Sequence, residues 1–164
     1  MLYNKNNLII SDIINEKSDK IPLLSVLFNN SKTVATDSFI LLEVKNPISM
    51  DTASDFPIIG SEENEKTNTA KTVPLKAIKK VLQNIPKNKE MPILENCIFL
   101  NSKNGTVKMA TTNLENNLII EAKSGEEFPD YERIIPDRAG FIDIDIDINL
   151  LSKLINTIKK MDLT

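Results

Sequence analysis

The 164-residue sequence predicts an α+β fold made of two pseudo-symmetric repeats, each a helix followed by antiparallel strands, with the helices on one face of the sheets. Three observations predict it. The stretch KIPLLSVLFNNSKTVATDSFILLEVKN aligns with EMPILENCIFLNSKNGTVKMATTNLENNLIIEAKS. Ile21-Pro22-Leu23-Leu24 falls on Met91-Pro92-Ile93-Leu94, Phe28 on Phe99, and Thr36-Asp37 on Thr112-Asn113. An amphipathic helix precedes the second copy, and both copies break into strand-length runs at turn residues. Two copies point to one pseudo-symmetric domain and not to a solenoid.

Taken in order, the opening NNLIISDIINEKSDK fits either a short helix or a strand and turn, because Leu8, Ile9, Ile13 and Ile14 satisfy both periods. IPLLSVLFNN is apolar enough for a buried strand. KTVATDSFILLEVKN gives two strands joined at Thr36-Asp37-Ser38, where short polar side chains bond nearby backbone amides. Residues 46–72 are a polar surface connection with room for a short strand at FPIIG. VPLKAIKKVLQNIPKNK is helical, with Leu75, Ile78, Leu82 and Ile85 on one face and Lys76, Lys79, Lys80, Gln83 and Lys87 on the other. ILENCIFLN and TVKMATTN form a hairpin through Asn104-Gly105, and NLIIEAKS is the next strand. FIDIDIDI alternates strictly and reads as a strand. NLLSKLINTIKKM is a closing helix, with Asn149 as N-cap, Leu151, Leu154, Ile155 and Ile158 inward, and Lys153, Lys159 and Lys160 outward. The expected organisation is one domain over residues 1–136, in half-repeats of about 1–72 and 73–136. Residues 137–164 complete a repeat or start a further domain.

Composition narrows the chemistry. The formal net charge is −3, which excludes a strongly basic nucleic-acid binder but not one basic face on an acidic body. There is no histidine, so imidazole-based triads and zinc sites are excluded. The single cysteine, Cys97, lies in an apolar run and reads as a buried small hydrophobe. No Gly-rich phosphate loop is present, and the acidic pairs Glu62-Glu63 and Glu126-Glu127 fall in polar segments. The reading is a binding protein and not an enzyme, without cofactor or metal. No apolar run is long enough to span a bilayer, and the expected setting is the cytoplasm.

Three motifs occur in the order of a known family. TVATDSFILL, the LKAIKKVLQ…MPILENCIFL…GTVKMATTNLE series and EEFPDYERIIP resemble bacterial sliding clamps, the DNA polymerase III beta subunit family, over about residues 20–136. The resemblance implies a DNA-clamp-like fold. It implies a processivity factor that encircles duplex DNA without reading sequence and tethers polymerase or repair proteins by their clamp-binding peptide motifs. Carried over, the peptide groove would use Leu23, Thr36, Ser38, Phe39, Ile40 and Leu41 with Pro129, Arg133 and Ile134. The DNA-facing lysines would be Lys76, Lys79, Lys80, Lys87, Lys153, Lys159 and Lys160. The family has three such domains per chain, and its usual Gly-His-Arg after the Thr-Asp turn is Ser38-Phe39-Ile40 here. The alternative is a clamp-derived peptide-binding scaffold that does not hold DNA.

The ends carry two further expectations. The terminal strand and helix pair with the strands of residues 20–45, in the same chain or in a neighbour, which makes a homo-oligomer the expected state. Asp143, Asp145 and Asp147 share one strand face, better read as a solvated, charge-guarded edge than as a cation site.

Overall fold

A computed structural model of the chain describes residues 2–29, 31–46, 55–59, 70–87, 90–100, 102, 105–135 and 146–161. The ambiguous start contains both alternatives. Strand β1 (Leu2–Asn4) runs into helix α1 (Lys5–Ile9), which continues as a 3₁₀ turn over Ile10–Ile13. Asn4 and Asn7 start α1 as a reciprocal capping box, each side chain accepting the other's backbone N–H at 3.1 and 3.2 Å.

After a 3₁₀ turn at Ile21–Leu23 come β2 (Ser25–Phe28), β3 (Lys32–Thr36) and β4 (Leu41–Lys45). The strand expected at IPLLS therefore starts only at Ser25. Pro22 removes a ladder donor and fixes its own φ, which favours a tight turn. The second unit runs β5 (Lys71–Pro74), α2 (Leu75–Asn84), a 3₁₀ turn at Pro92–Glu95, β6 (Asn96–Leu100), β7 (Thr106–Thr112) and β8 (Asn117–Lys123). A last 3₁₀ turn covers Tyr131–Ile134, and α3 spans Ile148–Lys160.

The two units match in detail. In each, a polar side chain just past the proline turn bonds back to the proline carbonyl: Ser25 Oγ to Pro22 O at 2.7 Å, Asn96 Nδ2 to Pro92 O at 3.2 Å. Each Thr-Asx pair closes the same turn. Thr36 Oγ1 donates to Ile40 O and Thr112 Oγ1 to Asn116 O, while the Asx oxygen accepts Ile40 N–H or Asn116 N–H. Both turns place a non-glycine residue at positive φ, Ser38 at 85° and Leu114 at 76°.

The sheets are not one per unit. Their orders are β1-β6-β7-β8 and β4-β3-β2-β5. Each unit's leading strand joins the other unit's three strands: β1 pairs antiparallel with β6, and β5 with β2. The main core lies between the sheets and under the helices. At its centre the rings of Tyr3, Phe28 and Phe99 meet edge to face, with centroids 5.0 to 5.5 Å apart. Phe28 and Phe99 are equivalent positions of the repeat. Cys97 is fully buried beside them, and burial pushes its thiol up to about 12, so it stays a thiol at neutral pH.

Helix α2 buries Leu75, Ala77, Ile78 and Val81, with Leu82 and Ile85 half-buried at the edge of the core. Its apolar face is centred about one position off the expected stripe. FPIIG is not a strand over residues 55–59. Instead Phe56 and Ile59 are buried against Leu2, Ile98, Leu100 and Ala110, while Gly60 lies outside the described residues.

The end of the chain departs further from expectation. Residues 141–145, with Asp143 and Asp145, lie outside the described residues, and Ile146 and Asp147 are not in a strand. Asp147, not Asn149, caps α3: its Oδ1 accepts Asn149 N–H at 2.7 Å and Leu150 N–H at 3.3 Å. Helix α3 is rotated part of the way from the expected orientation. Leu151, Ile155 and Ile158, expected inward, are exposed along with Ile148, and Leu154 is half-buried, whereas Lys153 and Thr157 face the protein and Lys159 and Lys160 stay exposed as expected. Two carboxylates hold the helix in this orientation: Lys153 Nζ reaches Asp37 Oδ2 at 2.6 Å and Lys160 Nζ reaches Asp12 Oδ2 at 2.5 Å. The helix packs on the Ile10–Ile13 turn of the first unit rather than extending its sheet.

Candidate functional site

The string that follows β8 is bound along the first unit. At its start, Gly125 donates its N–H to Thr72 O at 2.9 Å, and a Cβ there would lie 3.1 Å from Ser25 Cβ and 3.2 Å from Thr72 Cβ. The close approach accounts for glycine at this position. Further on, Phe128 and Tyr131 meet edge to face and pack on Val34, Leu27 and Leu41 of the β4-β3-β2-β5 sheet. Lys32 fastens the segment: its Nζ lies 5.2 Å from the Tyr131 ring centroid, 2.8 Å from Glu43 and 3.6 Å from Glu132. Glu43, followed by the Tyr131 hydroxyl, raises the Lys32 ammonium above its ordinary range.

The segment thereby forms one wall of a cleft of about 570 Å³. Pro129, Asp130 and Tyr131 line it together with the Ile21–Leu23 turn, Thr36, Ser38, Asp19, Lys20 and Glu126. Of the residues expected in a groove, the structure brings together Leu23, Thr36, Ser38 and Pro129. Phe39 projects from the turn beside them, 80% exposed, and does not line the cleft. Ile40 packs on the main core and Leu41 supports Phe128 and Tyr131 from beneath. Arg133 is exposed and bound to Asp130 at 2.7 Å. Ile134 belongs to the Tyr131–Ile134 turn. Sequence reasoning missed Ile21, Lys20, Asp19, Glu126 and Tyr131. The aromatic at Tyr131, alone among charged neighbours, was the available signal.

A second cleft of about 450 Å³ adjoins the first and shares Ile21 and Glu126 with it. Leu24, Pro74 and Leu75 give it an apolar floor, and Lys76, Lys79, Lys123 and Glu16 edge it.

The lysines expected to face phosphate divide into two sets. Lys79, Lys153 and Lys160 line one cleft together with Asp12 and Glu16. Each of the three is tied to a carboxylate: Lys79 to Glu16, Lys153 to Asp37 and Lys160 to Asp12. Lys76, Lys80, Lys87 and Lys159 are exposed and have no ion pair among the described residues. Burial works against the Asp37 carboxylate. The Lys153 ammonium and the N–H groups of Ile40 and Phe39 outweigh it and hold the carboxyl below its ordinary range.

No protein-family model and no curated protein matches the sequence. Among solved structures, the chain is similar to the DNA polymerase III beta subunit from Thermotoga maritima, with a TM-score of 0.53 at 17% identity. The chain has a clamp-like fold. The match covers 85% of this chain and 33% of the Thermotoga chain, so it spans about a third of that relative's length. At this identity the likeness is one of fold, and it fits the mixed helix and antiparallel-sheet architecture expected from the repeat. Among the described residues, no helix is long and apolar enough to cross a membrane.

Proposed function

We propose that this chain is a clamp-like tether that holds short peptide motifs of replication or repair proteins, polymerase among them, and that assembles with further copies around duplex DNA. The observation that carries the reading is the cleft between the Ile21–Leu23 turn and Pro129–Tyr131 in a clamp-like fold. Apolar clefts with a few polar groups on the rim suit linear motifs with aliphatic or aromatic anchors.

Exposed Lys76, Lys80, Lys87 and Lys159 support contact with phosphate that is independent of sequence. The outward stripe of α3 supports assembly. Ile148, Leu151, Ile155 and Ile158 repeat at 3-4-3 spacing, the pattern of a two-helix seam, so a second copy of the helix is a fitting occupant.

A second reading, a peptide-binding scaffold without DNA, is favoured by one feature. Three of the seven candidate lysines are already neutralised within the chain. Light scattering combined with retention on closed circular and linearised plasmid separates the two. The tether reading expects an oligomeric mass and retention on the circle that salt weakens and linearisation abolishes. A monomer that treats both DNA forms alike supports the scaffold.

A further inference from the structure

We infer that the second cleft, of about 450 Å³, is a site for a small amphiphile with a single anionic head: an alkyl or aryl carboxylic acid. The peptide reading concerns the neighbouring cleft, and this site stands whether or not that one holds a peptide.

Separate segments of the chain wall the cleft: the Ile21–Leu23 turn with Leu24 and Ser25, the junction of β5 and α2 from Pro74, and the end of β8 with Ser124 and Gly125. A space of this size falls in the range of small-molecule sites, roughly 300–1,000 Å³. Its surface is mainly apolar. Leu75 is buried, Leu24 and Pro74 are half-buried, and Ile21 stands 61% exposed at the edge shared with the first cleft. An alkyl or aromatic body laid against these four side chains leaves water on both surfaces, which is the favourable term for binding.

The charges around this surface do not cancel. Lys76, Lys79 and Lys123 line the cleft against Glu16 and Glu126. Lys79 and Glu16 hold each other. Lys76, Lys123 and Glu126 are exposed, and none of the three has an ion pair among the described residues. Two unpaired ammoniums against one unpaired carboxylate leave the lining net positive, and that carboxylate belongs to the part shared with the first cleft. Lys76 comes from α2 and Lys123 from the end of β8, so the positive charge is not confined to one element. A carboxylate head at this rim meets opposite charge while its body covers the apolar surface. A neutral amphiphile of the same length gains the apolar contact alone, and a cationic one gains it against repulsion.

The test uses the full chain and three probes that share one alkyl chain: octanoate, octanol and octylammonium. Titration followed by amide NMR reads affinity and place together. Octanoate is expected to bind at least about three-fold more tightly than octanol and octylammonium more weakly than either, with the differences closing in high salt. Amide shifts are expected to centre on Leu24, Leu75, Lys76 and Ser124. Lys76→Glu with Lys123→Glu is expected to reverse the order of octanoate and octylammonium. Ile21→Ser is expected to weaken all three, and all three substitutions are at exposed positions. Equal affinity for octanoate and octanol overturns the anionic head. Shifts centred on Leu23 and Tyr131, or on Leu151 and Ile155, place the alkyl chain on the peptide cleft or on α3 and overturn the site. Failure of octanoate to bind overturns it outright, and none of these results touches the peptide reading of the first cleft.

Discussion

The Asp37 carboxylate divides its oxygens between its own turn and a helix 116 residues away. Oδ1 accepts the N–H groups of Phe39 and Ile40 at 3.1 and 3.0 Å, and Oδ2 accepts Lys153 Nζ. The first role was legible in Thr36-Asp37-Ser38, because short polar side chains at a strand end bond backbone locally. The second was not, because nothing local marks Lys153 as the partner. The two roles separate by substitution. Asp37→Asn keeps an acceptor for the turn and loses the charge, at about 1 kcal/mol, while Asp37→Ala loses both and costs roughly 2–3 kcal/mol. The dependence on pH follows from the depressed carboxyl. A carboxyl held low in the folded state binds its proton more readily when unfolded, so its stabilisation is complete above about pH 4 and fades as pH falls through the folded value. Thermal melts over a pH series from 7 downward check this: wild type melts above Asp37→Asn at pH 7, and the gap narrows as the pH falls below the ordinary carboxylate range.

For α2 and α3, periodicity found each helix and its two faces, but it determined which face is buried only for α2. The difference is in what each face meets. Helix α2 lies over an apolar core, so Ile78 and Val81 go inward and Lys80 outward, with Lys79 meeting Glu16 at the edge. Helix α3 lies over Asp12 and Asp37: Asp37 draws Lys153 inward, Asp12 is met by the exposed Lys160, and Thr157 and Met161 are buried on the same side. Amphipathic spacing states that two faces exist, and only the neighbouring surface chooses between them. Docking by partly exposed ion pairs is weak and screened by salt. Hydrogen exchange is therefore expected to show faster amide exchange across Leu151–Met161 in 0.5 M salt than in 20 mM salt, with Ile78–Leu82 unchanged. Equal protection of α3 at both salt levels contradicts ionic docking.

At the scale of the molecule, the repeat was visible in residues and the interlocking was not. Alignment of Pro22 with Pro92 and Phe28 with Phe99 says that two units are alike. It is silent on whether β1 pairs with β2 of its own unit or β6 of the other, since both are apolar partners of suitable length. The observed exchange makes each unit incomplete alone. Cutting between Asn64 and Glu65 leaves β1 without β6 and β2 without β5 in one fragment, and β5 without β2 in the other. The cut also separates Tyr3 and Phe28 from Phe99, and Phe56 and Ile59 from Ile98, Leu100 and Ala110. Each fragment then exposes a half-core that a chain of its size has no other means to cover. Fragments 1–64 and 65–164 are expected to lack a cooperative unfolding transition when alone and to regain one when mixed in equal amounts. Far-ultraviolet circular dichroism with a urea titration reads both states. A cooperative transition from fragment 65–164 alone means that the second unit closes its own sheet, and the exchange of leading strands is then not what holds this fold together.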